Sequence, residues 1–144
     1  IAEIVKHPFT PKQVMYAGLI ESKLMDYEVT RLDQLQIPYA TPADLAGGSQ
    51  PVLQWLRKNK FKHLLVHFDL DVLSPKDFYS LLCHEPHIPP VEYAVGQLTL
   101  ADAVRIIADA SKEASLVGLT IAEYLPWDIM SIRNEFSKLD IFNA

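Results

Sequence analysis

The chain is poor in cysteine, with one residue, Cys83, among 144. A lone thiol cannot close an internal disulfide, so this is not a small disulfide-stapled scaffold of the secreted kind. No apolar run approaches the ~20 residues that carry a helix across a bilayer, and we expect no membrane partner. Positive charge is short as well: 13 Lys and Arg against 18 Asp and Glu leave a net charge of -5. Nucleic acids and anionic lipid surfaces are held by basic patches, and this balance argues against both. The opening Ile1-Ala2-Glu3-Ile4-Val5 has neither an initiator Met nor the charged and apolar regions of a signal peptide. We therefore expect a cytoplasmic protein, and a chain cut from a longer one. Internal repeats, low-complexity tracts and linkers are absent too, which predicts one domain over residues 1–144 with no internal boundary.

What is present is ample material for a core: 49% of residues are hydrophobic and 22% charged, the balance of a globular domain. Val14 to Leu19 is a short apolar run after Pro11 and predicts a buried strand. Ser22 to Gln36, charged with scattered leucines, predicts a helix leading to a short edge strand at Ile37-Pro38-Tyr39-Ala40, because proline cannot donate to a ladder. Thr41-Pro42-Ala43-Asp44 has a hydroxyl cap, proline at the first helical position and an acid in the first turn. Gly47-Gly48 ends that helix, and Gln50 to Lys58 predicts another, with Val52, Leu53, Trp55 and Leu56 on one face. Phe61 to Asp71 is apolar enough to predict a strand buried on both faces, as in a parallel sheet. After the Pro- and His-rich connection Lys76–Pro90, Thr99 caps a predicted helix Leu100–Ala114. A second buried strand, Ser115 to Tyr124, ends in Glu123. Asp128 is then a candidate cap for a last helix with Ile129, Ile132, Phe136 and Leu139 on one side. Alternation of this kind predicts an α/β fold with a mainly parallel sheet between helical layers.

The stretch richest in chemistry is His67-Phe68-Asp69-Leu70-Asp71-Val72-Leu73-Ser74-Pro75. Side chains two apart on a strand share a face, so Asp69 and Asp71 are expected side by side where the strand ends. Paired carboxylates repel unless a cation lies between them, and open parallel sheets gather ligands at their carboxyl ends. Asp69 and Asp71 are therefore candidate ligands for a hard divalent cation. Glu123 ends the next strand and is expected to face the same pocket. Against this stands a plain reading of all three as solvated acids or ion-pair partners. Cys83-His84-x-x-His87 lacks the second paired element of a zinc site and reads as loop. His63 and His67 flank the strand; His67 shares a face with Asp69, but packing or a backbone hydrogen bond is its expected role. The apolar faces around Trp55, Ile106 and Phe136 are expected to be core.

In this order the segments resemble the ureohydrolase superfamily of arginases, agmatinases and formiminoglutamases. Val14 to Leu19 resembles that family's x-Tyr-Ile-Gly-Leu-Arg strand, and His67 to Pro75 its Ser-Phe-Asp-Val-Asp-x-x-Asp-Pro signature. Gly96-Gln97-Leu98-Thr99 is similar to Gly-Gly-Leu-Thr before a helix, and Gly118 to Pro126 to Gly-Leu-Asp-x-x-Glu-x-x-Pro. The resemblance implies the carboxyl-terminal portion of a three-layer α/β/α arginase-like domain, incomplete here, and a binuclear manganese hydrolase acting on a guanidino-type C–N bond. It implies that Asp69 bridges two Mn2+ ions, that Asp71 binds one of them, and that Glu123 holds the substrate's guanidinium; it assigns no proton-transferring catalytic residue. It also implies a small-molecule guanidino substrate. A parallel sheet cut from a larger one would leave an unpaired edge, here Phe61–Asp71, and we expect a homo-oligomer formed along that edge or across exposed helix faces.

The departures are specific. The family's upstream Gly-Gly-Asp-His and Asp-Ala-His-x-Asp metal motifs are absent, Ser74 stands in place of the signature's third aspartate, and Gln97 replaces a glycine. We expect the 144-residue chain alone to be inactive and to bind manganese weakly or not at all. Two other classes compete: an Asp-x-Asp phosphatase or glycosyltransferase, and a non-catalytic interaction module. Haloacid-dehalogenase phosphatases follow the acids with a hydroxyl residue that Val72-Leu73 does not supply.

Overall fold

A chain that alternates short apolar runs with capped helices must place its strands side by side and its helices across them. The computed structural model describes residues 6–84 and 95–143, and in them this happens twice. Strand β1 (Tyr16–Ala17) pairs in parallel with β2 (Tyr39–Ala40), Tyr16 opposite Tyr39 and Ala17 opposite Ala40. Between them lies helix α1 (Asp26–Leu35). It is shorter than the predicted Ser22–Gln36 because Glu21–Lys23 forms a separate 3-10 turn and the Glu28 carboxylate accepts from Met25 N at 2.8 Å, setting the start there.

Helix α2 (Pro42–Ala46) starts where predicted. Thr41 Oγ1 accepts from Asp44 N and Thr41 N donates back to Asp44 Oδ2, so two otherwise orphaned amides are satisfied. Helix α3 (Gln50–Asn59) follows, burying Val52, Leu53 and Leu56, with half-buried Trp55 edge-on to Phe61.

The second parallel pair carries the candidate site. Strand β3 (His63–Asp69) runs beside β4 (Ser115–Ala122), with helix α4 (Leu100–Glu113) in the crossover. The register pairs His63 with Ser115 and Asp69 with Ala122, so both strands run out at one edge. Thr99 caps α4, accepting from Asp102 N at 3.0 Å, and α4 buries Ala103, Val104, Ile106, Ile107 and Ala110. Helix α5 (Ile129–Phe136) closes the layer, Phe136 packing edge-on against Phe68 with ring centres 5.9 Å apart.

Two expectations fail for one reason. Neither β3 nor β4 is buried on both faces: Leu64 and Phe68 enter the core, while Leu65 and Val117 stay 60% and 55% exposed. Helices cover one face of this pair among the described residues, so its fold is α/β with parallel pairs but with one helical layer over β3 and β4. The Asp128 side chain does not cap α5; it faces another loop instead. The Val14–Leu19 strand is also reduced to the two residues of β1. His87 and the rest of the Lys76–Pro90 connection beyond His84 lie outside the described residues.

Candidate active site

The turn after β3 decides where the acids point. The strand ends at Asp69, and Leu70–Val72 winds into a 3-10 turn. Asp71 thus leaves the strand, which corrects the expectation of two carboxylates on one strand face. Asp69 Oδ1 caps the turn by accepting from Asp71 N at 2.9 Å, which brings the pair together by a different geometry.

This turn is pinned from two directions. Gly96 N donates to Asp71 O at 2.8 Å, Leu98 N to Val72 O at 3.2 Å, and Ser74 N to Leu98 O at 2.8 Å. The approach is so close that a Cβ on Gly96 would fall 1.8 Å from Val72 O. Gly18, at φ +95°, abuts the same turn; a Cβ there would lie 2.5 Å from Val72 Cγ2. Glycine is required at both positions because backbone or side chain occupies the space a Cβ would take. Gln97 is exposed, so a side chain is accommodated where the resembled motif has its second glycine. Ser74 is buried, and its hydroxyl accepts from Lys76 N at 3.2 Å. It starts the next turn, where Asp77 N donates to its carbonyl at 3.0 Å.

The electrostatics of the strand end are unbalanced. Asp71 Oδ1 is buried and has no hydrogen-bond partner among the described residues. Burial, then the charges of Asp69 and Glu123, push the Asp71 carboxyl up to about 6. Glu123 is therefore close enough to act on Asp71, as expected from the shared strand edge. It stands just past β4 at φ +57°, in the left-handed region that a residue with a Cβ enters at a cost. Asp69 and Glu123 are solvent-exposed. Among the described residues, no group of three or more His, Cys, Asp or Glu is arranged to hold a metal ion.

Two of the histidines, His67 and His84, have partners of their own. His67 Nδ1 is 2.8 Å from Thr120 Oγ1, a structural role across the two strands, with a hydroxyl partner in place of the expected backbone one. His84 stacks on Tyr79, ring centres 4.5 Å apart, with Nδ1 3.0 Å from Tyr79 O. Sequence reasoning missed Tyr79 and Asp128: Tyr79 N donates to Asp128 Oδ2 at 3.5 Å, joining the loop after β3 to the loop after β4. No local sequence signal marks that pairing. Two shallow clefts of about 280 and 300 Å³ lie away from the acids. The first, between Arg57, Lys60, Lys62 and Glu113, is at the opposite end of β3. The carboxylates have a stated chemistry and the clefts do not, so the candidate site is the strand end. No helix among the described residues is long and apolar enough to cross a membrane.

No family model and no curated protein matches the sequence. Solved structures do match in fold. The chain is similar to the arginase of Helicobacter pylori, 21% identical with a TM-score of 0.60 over 81% of this chain and 36% of that one. It is similar to an Entamoeba histolytica arginase solved with L-ornithine, 24% identical with a TM-score of 0.60 over 86% and 40%. It is also similar to the formimidoylglutamase of Bacillus subtilis, 16% identical with a TM-score of 0.61 over 81% and 35%. Identities this low establish the fold alone: a partial α/β arginase-like fold. The chain spans 35–40% of the length of these three structures.

Proposed function

We propose that this chain is the carboxyl-terminal part of a binuclear manganese hydrolase that cleaves a guanidino-type C–N bond, and that the chain alone is inactive. The observation that carries the reading is the strand-end group: Asp71 with an orphaned buried oxygen, Asp69 bonded to its amide, and Glu123 within electrostatic reach. Three acids converge without a cation among the described residues, so the site favours one from outside. The donors fit a hard divalent ion such as Mn2+ in type and fall short of it in number, since such ions take about six oxygen or nitrogen ligands. Asp69 and Asp71 would hold it as part of a larger donor set.

When bound, paired ions of this kind polarise water for attack on a planar C–N centre. The chain's own residues do the rest of the work assigned here. The Asp71 N–H fixes the Asp69 carboxylate, and the Gly96 and Leu98 amides fix the turn that carries both acids. Glu123, just past β4, accepts the paired donors of a guanidinium and orients its central carbon. The arginase-like fold favours this reading over the phosphatase and interaction-module alternatives. A cytoplasmic compartment, from the lone thiol, and self-association along the exposed strand faces belong to the same proposal.

The test is urea or amine release from guanidino compounds by the manganese-loaded full-length protein. Asp69→Ala is expected to abolish turnover and lower metal content. Glu123→Ala is expected to leave metal content intact and reduce turnover less. Wild-type metal content and turnover in Asp69→Ala would contradict the assignment.

A further inference from the structure

The cleft of about 280 Å³ at the amino end of β3 offers no reacting group, but its charge defines what it can hold. Residues 57–62 carry four of the chain's 13 Lys and Arg, namely Arg57, Lys58, Lys60 and Lys62, with no acid among them. In a chain of net charge -5 this is a local reversal of sign. Arg57 and Lys58 stand in the last turn of α3, where cations meet the negative end of a helix, and that position accounts for them without a ligand. It does not account for the next two. Lys62 lies past the helix, and Lys60 holds its cap at φ +56°, a left-handed position at which glycine is the cheaper residue.

Lys60 and Lys62 both line the cleft, together with Arg57, Glu113 and the apolar Leu56 and Phe61. Arg57 and Glu113 bond each other. That bond holds the Glu113 carboxyl below its ordinary range, so the acid of the cleft is already engaged. Neither lysine has an ion-pair partner among the described residues. Three cations against one acid leave the lining two charges positive. The backbone that carries the lysines is fixed: Phe61 N donates to Leu56 O at 3.2 Å and Ser115 N to Lys62 O at 2.9 Å, and the Phe61 ring is braced edge-on by Trp55 at 5.0 Å.

We propose that this cleft binds a small phosphate monoester, its dianionic head held by Lys60 and Lys62 and its carbon body against Phe61 and Leu56. A dianion matches the two uncompensated ammonium charges, which a carboxylate would meet only by half. The volume is at the small end of ligand pockets and suits a single-headed metabolite. The length of β3, roughly 20 Å at ~3.3 Å per residue, separates this cleft from Asp69, so the proposal is independent of the metal and of the Glu123 assignment.

Amide NMR of the 144-residue chain tests it, with phenyl phosphate, inorganic phosphate and benzoate as probes at fixed ionic strength and about pH 7.5, where the monoester is a dianion. Phenyl phosphate is expected to shift the Phe61, Lys62 and Ser115 amides saturably and to leave those of Gly96 and Leu98, beside the acids, in place. It should bind about tenfold tighter than inorganic phosphate, which lacks the body, and than benzoate, which has one charge. Lys60→Gly removes one ammonium and relieves the left-handed backbone; it should weaken phenyl phosphate about tenfold while the melting temperature holds or rises. Lys58→Gln removes the same charge from outside the lining and should change binding by no more than about twofold. No saturable shift at the three amides, equal binding of all three probes, or a loss in Lys58→Gln as large as in Lys60→Gly would overturn the proposal.

Discussion

The junction of α2, α3 and α4 and the carboxyl ends of β3 and β4 are both rich in polar side chains, and they treat them in opposite ways. At the junction, Ser49 is 3% exposed and donates to Asp109 Oδ2 at 2.8 Å. Arg105 reaches Ser49 Oγ, Leu45 O and Asp102 Oδ1 at 3.1, 2.8 and 2.9 Å. Donors and acceptors there meet within the chain, as buried polar groups must when the purpose is stability. At the strand ends, like charges converge, Asp71 Oδ1 has no partner among the described residues, and Glu123 occupies a strained backbone region. Broken local rules of this kind are expected at functional or strained sites, and the proposed function reads this one as functional.

The strand-end frame itself should be the most sensitive point. Gly96→Ala forces a Cβ into Val72 O, and we expect a loss of at least ~4 kcal/mol, the range of severe steric and backbone disruption, or failure to fold. Gln97→Gly, one residue on and exposed, should change stability by no more than ~1 kcal/mol. Thermal melts of the two variants check this, and equal melting points for both would refute the close approach.

Next in size is the junction. Arg105→Ala removes its three hydrogen bonds and leaves Asp102 without its cation, at a cost of roughly 2–3 kcal/mol. It should also alter the acid limb of the stability curve. Burial raises the Asp102 carboxyl, but the bonds from Arg105 and Thr99 outweigh it and hold the group below its ordinary 3.8. The folded protein therefore keeps this carboxylate ionised more readily than the unfolded chain does. That stabilisation is present above the ordinary value and is lost as pH falls through the lower folded one. Denaturant titrations from pH 6 down to 2 should show a shallower acid loss in Arg105→Ala than in the wild type.

The opposite sign is expected at the site. Asp71→Asn removes one of three converging negative charges and should leave the metal-free chain unchanged or more stable by up to ~1 kcal/mol, a small gain because the group remains in contact with solvent. A loss as large as that of Arg105→Ala would mean that Asp71 is a structural acid like Asp102.

The contrast also explains what could be read in advance. Thr41 and Thr99 were legible as caps because capping chemistry is local: a hydroxyl and an acid three residues on are enough. The convergence of Asp69, Asp71 and Glu123 at one edge was legible because a β-α-β unit aligns consecutive parallel strands. Burial of β3 and β4 on both faces was not, since an apolar run cannot report how many layers cover it; Leu65 and Val117 look inward in composition and lie outward in the fold. The 3-10 turn at Leu70–Val72 was hidden because Asp-x-Asp alternates like a strand, while the turn is imposed by Gly96 and Leu98, more than twenty residues away. The Tyr79–Asp128 bridge, between loops with no shared pattern, left no trace in sequence.

If the strand-end acids take a divalent cation, manganese titration of the 144-residue chain, followed by the electron paramagnetic resonance signal of free Mn2+, should detect it. Weak, saturable uptake is expected, in the range of roughly 0.1 mM or above for so incomplete a shell, abolished by Asp71→Asn and by Asp69→Asn. Uptake that is tight in the isolated chain, or that survives both substitutions unchanged, would contradict it.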